Sequence, residues 1–165
     1  EAKEMVRVTV PGEVRLAYNE ARKTYKKLPP YDAINNSFEI IRIEYSENVI
    51  PEVRRLILHY FQLFSADMQA IISSHTQDPH SMTETAAFSK EDKQKVYKLY
   101  KKLWYWIHQG ILTSVEGEKE QAELICALWK AWPDLKKEYK RIMTKVVKEW
   151  KKDVTKQKED KGYLG

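Results

Sequence analysis

Apolar positions recur along this chain at helical spacing, and prolines cut the recurrence into pieces. Between Gly12 and Leu28 they fall at Val14, Ala17, Tyr18, Ala21, Tyr25 and Leu28, a single stripe on an α-helix. Arg15, Asn19, Arg22, Lys23 and Lys26 occupy the other face. Pro29-Pro30 stops the pattern, because proline lacks an N–H and the residue before it avoids the α region. Asp32 is a candidate N-cap for a second helix striped by Ile34, Phe38, Ile41 and Tyr45. The β-branched Ile40, Ile41 and Ile43 leave a strand open for the same stretch.

Pro51 suits the first turn of a third helix, where its missing N–H costs little. That helix runs to about Ser74 and is apolar on most sides, as a central or interface helix is. His75 to Phe88 reads as one long polar loop. Ser89 opens a new helix with Glu91 and Asp92 in its first turn, lined by Val96, Leu99, Tyr100, Leu103, Ile107 and Ile111. After a loop near Gly117 comes a short helix with Ala122, Ile125, Leu128, Trp129 and Trp132. Pro133 and Asp134 are expected to begin the last helix, with Leu135, Tyr139, Ile142, Met143, Val146, Trp150 and Val154 inward. Met5, Val6, Val8 and Val10 suggest an extended leading tail, and Lys161–Gly165 lacks a helical pattern.

These lengths predict an all-α fold: a four-helix bundle over residues 51–165, preceded by a proline-jointed helical arm over residues 1–50. An arm helix without a bundle position needs another surface for its stripe, and a second subunit is the natural candidate.

Composition narrows the function. The 165 residues include 12% aromatics, which argues against disorder. No apolar run approaches the roughly 18 residues that span a bilayer, and no signal-peptide pattern opens the chain. A start at Glu1 fits processing or trimming equally. The single Cys126, among Leu124, Ile125 and Leu128, reads as a buried structural thiol. Residues 1–30 hold seven Lys/Arg and four Asp/Glu, residues 31–88 three and eight, and residues 89–165 nineteen and twelve. Two basic ends around an acidic middle permit phosphate contact; solvated surface lysines explain the same numbers.

Enzyme signatures are missing. The chain has five glycines and no Gly-rich phosphate loop, no His-Glu-x-x-His pair and no cysteine pair. His75 and His80 share a loop without a convergent third ligand. No catalytic residue, metal site or cofactor is therefore expected, and no small-molecule substrate.

A basic row is the sharper signal. On a helix Arg15, Asn19, Arg22 and Lys26 fall at i, i+4, i+7 and i+11, so one face presents donors to successive phosphates. An ordinary surface helix gives the same row. Trp104 and Tyr105 beside lysines could stack on bases or bury at a subunit interface, with Trp106 in the core. The run Lys136, Lys137, Lys140, Arg141, Lys145, Lys148, Lys151 and Lys152 reads as a solvated face softened by Glu138, Glu149 and Asp153.

The layout of a proline-jointed arm from Pro11 to Pro51, followed by a bundle rich in Lys, Tyr and Trp, resembles the major coat proteins of filamentous viruses of hyperthermophilic archaea. The resemblance covers most of the chain and carries no diagnostic short motif. It implies a virion protein whose copies stack helically around double-stranded DNA, with a second coat-like chain as a further candidate partner. Outside the virion it implies the host cytoplasm; an envelope is neither implied nor excluded by these residues. It places Arg15, Arg22, Lys23 and Lys26 against phosphates, with Arg42, Arg54 and Arg55 extending the contact. The acidic stretch at residues 39–52 departs from a uniformly basic arm. The competing expectation is a helical protein–protein adaptor, such as an accessory subunit of an archaeal nucleic-acid machine.

Overall fold

The computed structural model describes residues 11–73 and 79–160. The alternating Met5–Val10 stretch, His75, the side chain of His80 and the tail Lys161–Gly165 lie outside the described residues. Among those described, every regular element is helical, and none is a strand. The α-helices are α1 Pro11–Thr24, α2 Tyr31–Phe38, α3 Val49–Ile72, α4 Pro79–Ala86, α5 Lys90–Thr113 and α6 Glu118–Asp160. Short 3₁₀ turns cover Ile40–Arg42 and Ser46–Asn48. No described helix is long and apolar enough to cross a membrane. The chain forms two compact units, Glu1–Gln62 with Tyr105–Ala131 and Leu63–Trp104 with Trp132–Gly165. The sequence-based boundary at residue 50/51 therefore falls inside the first unit.

In the first unit the α1 stripe is already covered. Val14 and Tyr18 are fully buried, and α1 packs on α2 and both 3₁₀ turns. The Tyr18 hydroxyl donates to the Pro29 carbonyl at 2.9 Å, and its ring meets Tyr31 edge-on at 6.1 Å. Burial of the phenol pushes the Tyr18 pKa up. The expectation that a second subunit seals this stripe is thus replaced by closure on the chain's own Pro29–Phe38 segment. Each such buried side chain is worth about 1.5–3 kcal/mol.

α1 also stops at Thr24, short of the prolines. The link is a turn, with Leu28 N–H donating to Tyr25 O at 3.0 Å and the Arg22 Nε–H to Leu28 O at 3.2 Å. Pro30, not Asp32, is the N-cap of α2; Asp32 sits in the first turn and takes the Arg15 guanidinium instead. Helix α2 ends at Glu39, which adopts a left-handed φ of 50°. A non-glycine residue there costs of order 1–2 kcal/mol. Two bonds hold the turn: Glu39 N–H to Asn35 O at 2.7 Å, and Ile41 N–H to Asn35 Oδ1 at 2.9 Å. The chain then buries Ile40 and Ile43 and leaves Ile41 and Tyr45 outside. The single helical stripe expected for Ile41 and Tyr45 is broken by that turn.

Further along, α3, α5 and α6 contribute to the same unit. Phe61 of α3 is fully buried and meets Phe38 at 6.4 Å. Gly110 of α5 is buried with Leu58 against it, and an added Cβ would collide with the Leu58 side chain. Ile111, expected inward, is exposed.

The second unit contains three departures from the sequence pattern. The segment expected as a loop holds α4, which starts at Pro79 and is tied by Thr83 Oγ1 donating to Asp153 at 3.0 Å. Proline at a first helical position is pre-shaped for it, while weak amphipathicity hid the rest. The helix expected to restart at Pro133 does not break: α6 runs through it. Interior proline costs about 3 kcal/mol, so burial on both sides has to outweigh it. Trp132 and Leu135 flank Pro133 and are both buried. Val154, expected inward, is exposed. Ser89 caps α5 as expected, accepting from Asp92 N–H at 3.1 Å.

Candidate nucleic-acid interface

The residues expected to meet phosphates are mostly engaged within the first unit. Arg15 pairs with Asp32 at 3.0 Å and lies 5.1 Å over the Tyr31 ring. Arg22 is half-buried on Leu28 O, and Lys23 pairs with Glu20 at 2.6 Å. Arg42 pairs with Glu39 at 2.8 Å, and Arg55 with Glu52. Arg54 donates to Gly110 O at 2.8 Å and to Gln121 Oε1 at 3.1 Å. Burial pulls its pKa below the usual arginine value, with Glu52 opposing. Asn19 and Lys26 are exposed, but Lys26 lies beyond the end of α1. The expected four-residue row is therefore three residues on a helix and one in a turn.

The aromatic cluster divides. Trp104 is half-buried and meets Tyr100 edge-on at 6.2 Å. Tyr105 is exposed, and Trp106 is half-buried rather than in the core. Cys126 is half-buried, not buried as expected; desolvation raises its thiol pKa, so the thiolate is disfavoured.

Positive charge concentrates in the other unit. The first unit holds twelve Lys/Arg and thirteen Asp/Glu, the second seventeen and eleven, or net −1 and +6. Here α5 and α6 bury Val96, Leu99 and Leu103 and Leu135, Ile142 and Val146. One helical position away from these stripes stand cations, so the seam between the helices is edged with them. Phe88, Asp92, Lys95, Arg141 and Lys145 line a cleft of about 140 Å³. Lys102, Asp134, Lys137, Glu138 and Arg141 line another of about 310 Å³. Arg141 belongs to both.

Two ion pairs clip the seam. Lys145 reaches Asp92 at 3.0 Å, and Lys102 reaches Glu138 at 2.7 Å. The hydrogen bond from Lys145 is the largest cause holding the Asp92 carboxyl below its usual pKa, helped by Ser89 and opposed by desolvation. Lys95, Lys137 and Arg141 are exposed and make no ion pair among the described residues. The result is three cations without an ion pair beside two that are paired, in a unit with more cations than carboxylates. Such an array binds anionic oxygens without reading bases.

Sequence reasoning missed the seam because Lys95 and Arg141 meet only through tertiary packing. One signal was present: Arg141 is the sole arginine among the second unit's cations. No cluster of three or more His, Cys, Asp or Glu among the described residues is placed to hold a metal. Compared with protein-family models, curated proteins and solved structures, the chain matches none.

Proposed function

We propose that this is a structural coat protein that lies along double-stranded DNA, contacts phosphates without sequence preference and assembles with copies of itself, in the manner of filamentous archaeal virus coats. The observation that carries the reading is the α5–α6 seam, where Lys95, Lys137 and Arg141 remain unengaged in a unit of net +6. Counterion release at such a surface drives binding and makes it salt-sensitive. Asn19 and Lys26 of the leading segment supply a secondary contact. The four-helix bundle and wrapping arm belong to this proposal as the assembled form, in which the Pro29–Pro30 joint would have to open. The second unit is the surface that needs no rearrangement.

The adaptor reading is favoured by a different observation. Arg15, Arg22 and Arg54 bond within the first unit, and Leu16, Leu112 and Val115 are strongly exposed, as partner-binding surfaces often are. Mixing the protein with random-sequence duplex at low and moderate salt separates the two. The coat reading expects a shifted band that weakens with salt, and nucleoprotein filaments in electron micrographs. No shift at either salt contradicts it and leaves the adaptor.

A further inference from the structure

Beside the seam, α6 presents a second and chemically different feature. Phe64, Tyr139, Met143 and Val147 form the wall of an open groove of about 470 Å³. Phe64 packs on Tyr139 at 4.4 Å and stacks on Trp132 at 5.8 Å, and Tyr139 is fixed by its hydroxyl donating to Asp67 at 2.7 Å. The wall is therefore rigid. It is also uncovered: Val147 is 63% exposed. Lys136, Lys140 and Lys148 rim the groove at i, i+4 and i+12, rising about 6 Å per four residues. All three are exposed, and among the described residues none is ion-paired.

An apolar groove with a cationic rim calls for an apolar group flanked by carboxylates. The chain carries one in its first unit. The turn after α2 leaves Ile41 and Tyr45 45% and 50% exposed, with Glu44 and Glu47 exposed beside them. This knob is stiff, because Ile40 and Ile43 anchor it and Asn35 ties the Glu39–Ile41 turn at both ends. A preorganised knob loses little conformational freedom on docking. We propose that the groove receives the Ile41–Glu47 knob of a second copy, with Ile41 and Tyr45 on the aromatic wall and Glu44 and Glu47 on the lysine rim. Such a contact is heterologous, so each copy offers both a knob and a groove, and repetition gives a ring or a filament. The inference rests on the self-assembly part of the coat reading and not on the nucleic acid.

Sedimentation velocity of the full chain without nucleic acid tests it, using K136E/K140E/K148E and E44K/E47K. All five positions are exposed, so circular dichroism should show unchanged helix content. The wild type is expected to self-associate. Each variant alone places like charges at the contact and should associate at least about tenfold more weakly. An equimolar mixture should recover association, because each variant's knob then faces a groove of opposite sign. Failure of the mixture to recover, or unchanged association of either variant, overturns the proposal. So does a wild type that stays monomeric while its groove takes up anilinonaphthalene sulfonate, which would assign the groove to a small anionic amphiphile. The seam variant K95A/K137A/R141A separates the two readings. It should keep self-association and lose duplex affinity, so loss of DNA binding in the wild type would leave the knob-and-groove contact standing.

Discussion

The two units use positive charge differently. In the first, cations and carboxylates nearly balance, and half the cations are arginines. In the second, sixteen of the seventeen cations are lysines. Arg54 shows what the first unit does with them: its planar fork spans a helix carbonyl and a side-chain amide from two different helices. Arg15 and Arg22 likewise close the turn between α1 and α2. A guanidinium gives several donors in fixed directions and suits this bracing; an ammonium on a flexible stem suits a solvated surface that meets a polyanion. Basic residues near each other in sequence are thus poor evidence for a binding face until their partners are known.

The sharpest way to break this comparison is to damage each unit where it is thought to work. Phe61→Ala in the first unit removes a fully buried ring and should cost about 3–5 kcal/mol in thermal or urea unfolding. A loss below about 1 kcal/mol would mean that the Phe38–Phe61 contact is not core packing.

Arg54→Ala should cost about 2 kcal/mol, because it leaves Gly110 O and the Gln121 amide without a charged donor. It should leave the salt dependence of duplex binding unchanged. A salt slope lower by about 0.9 would show that Arg54 touches phosphate after all, and that bracing and binding are not separated between the units.

The smallest effect concerns the seam clip. Asp92 has a depressed pKa in the folded chain, so its ionised form stabilises the fold above the unfolded carboxylate value of about 3.9. That stabilisation is lost as pH falls through the lower folded value. Wild type should therefore melt above Asp92→Asn near neutrality, and the gap should close on acidification below about pH 4. A gap that stays constant with pH would remove the Lys145–Asp92 pair as its cause.

Much of the fold was legible. The helices α1, α3 and α5 and the Ser89 cap follow from helical period and side-chain chemistry. What could not be read depended on contacts distant in sequence. Pro133 carries a strong local stop signal, yet Trp132 and Leu135 are buried together and α6 continues. Glu39 in a left-handed conformation is not foreshadowed by its residue type, and it decides that Ile41 and Tyr45 face out. For the candidate site, the lysines of α6 were visible as a run. Their sorting was not, because it depends on Asp92 and Glu138 claiming two cations and leaving Lys95, Lys137 and Arg141 unclaimed.

The most direct test is the salt dependence of binding to a labelled random-sequence duplex, measured by fluorescence anisotropy for two triple variants. K95A/K137A/R141A is expected to bind more weakly to every sequence and to lower the log–log salt slope by about 0.9 per lost phosphate contact, while R15A/R22A/R42A, whose residues are engaged within the first unit, changes it little. A flattened slope in the leading-segment variant, with the seam variant indistinguishable from wild type, would contradict the assignment of the polyanion surface to the second unit.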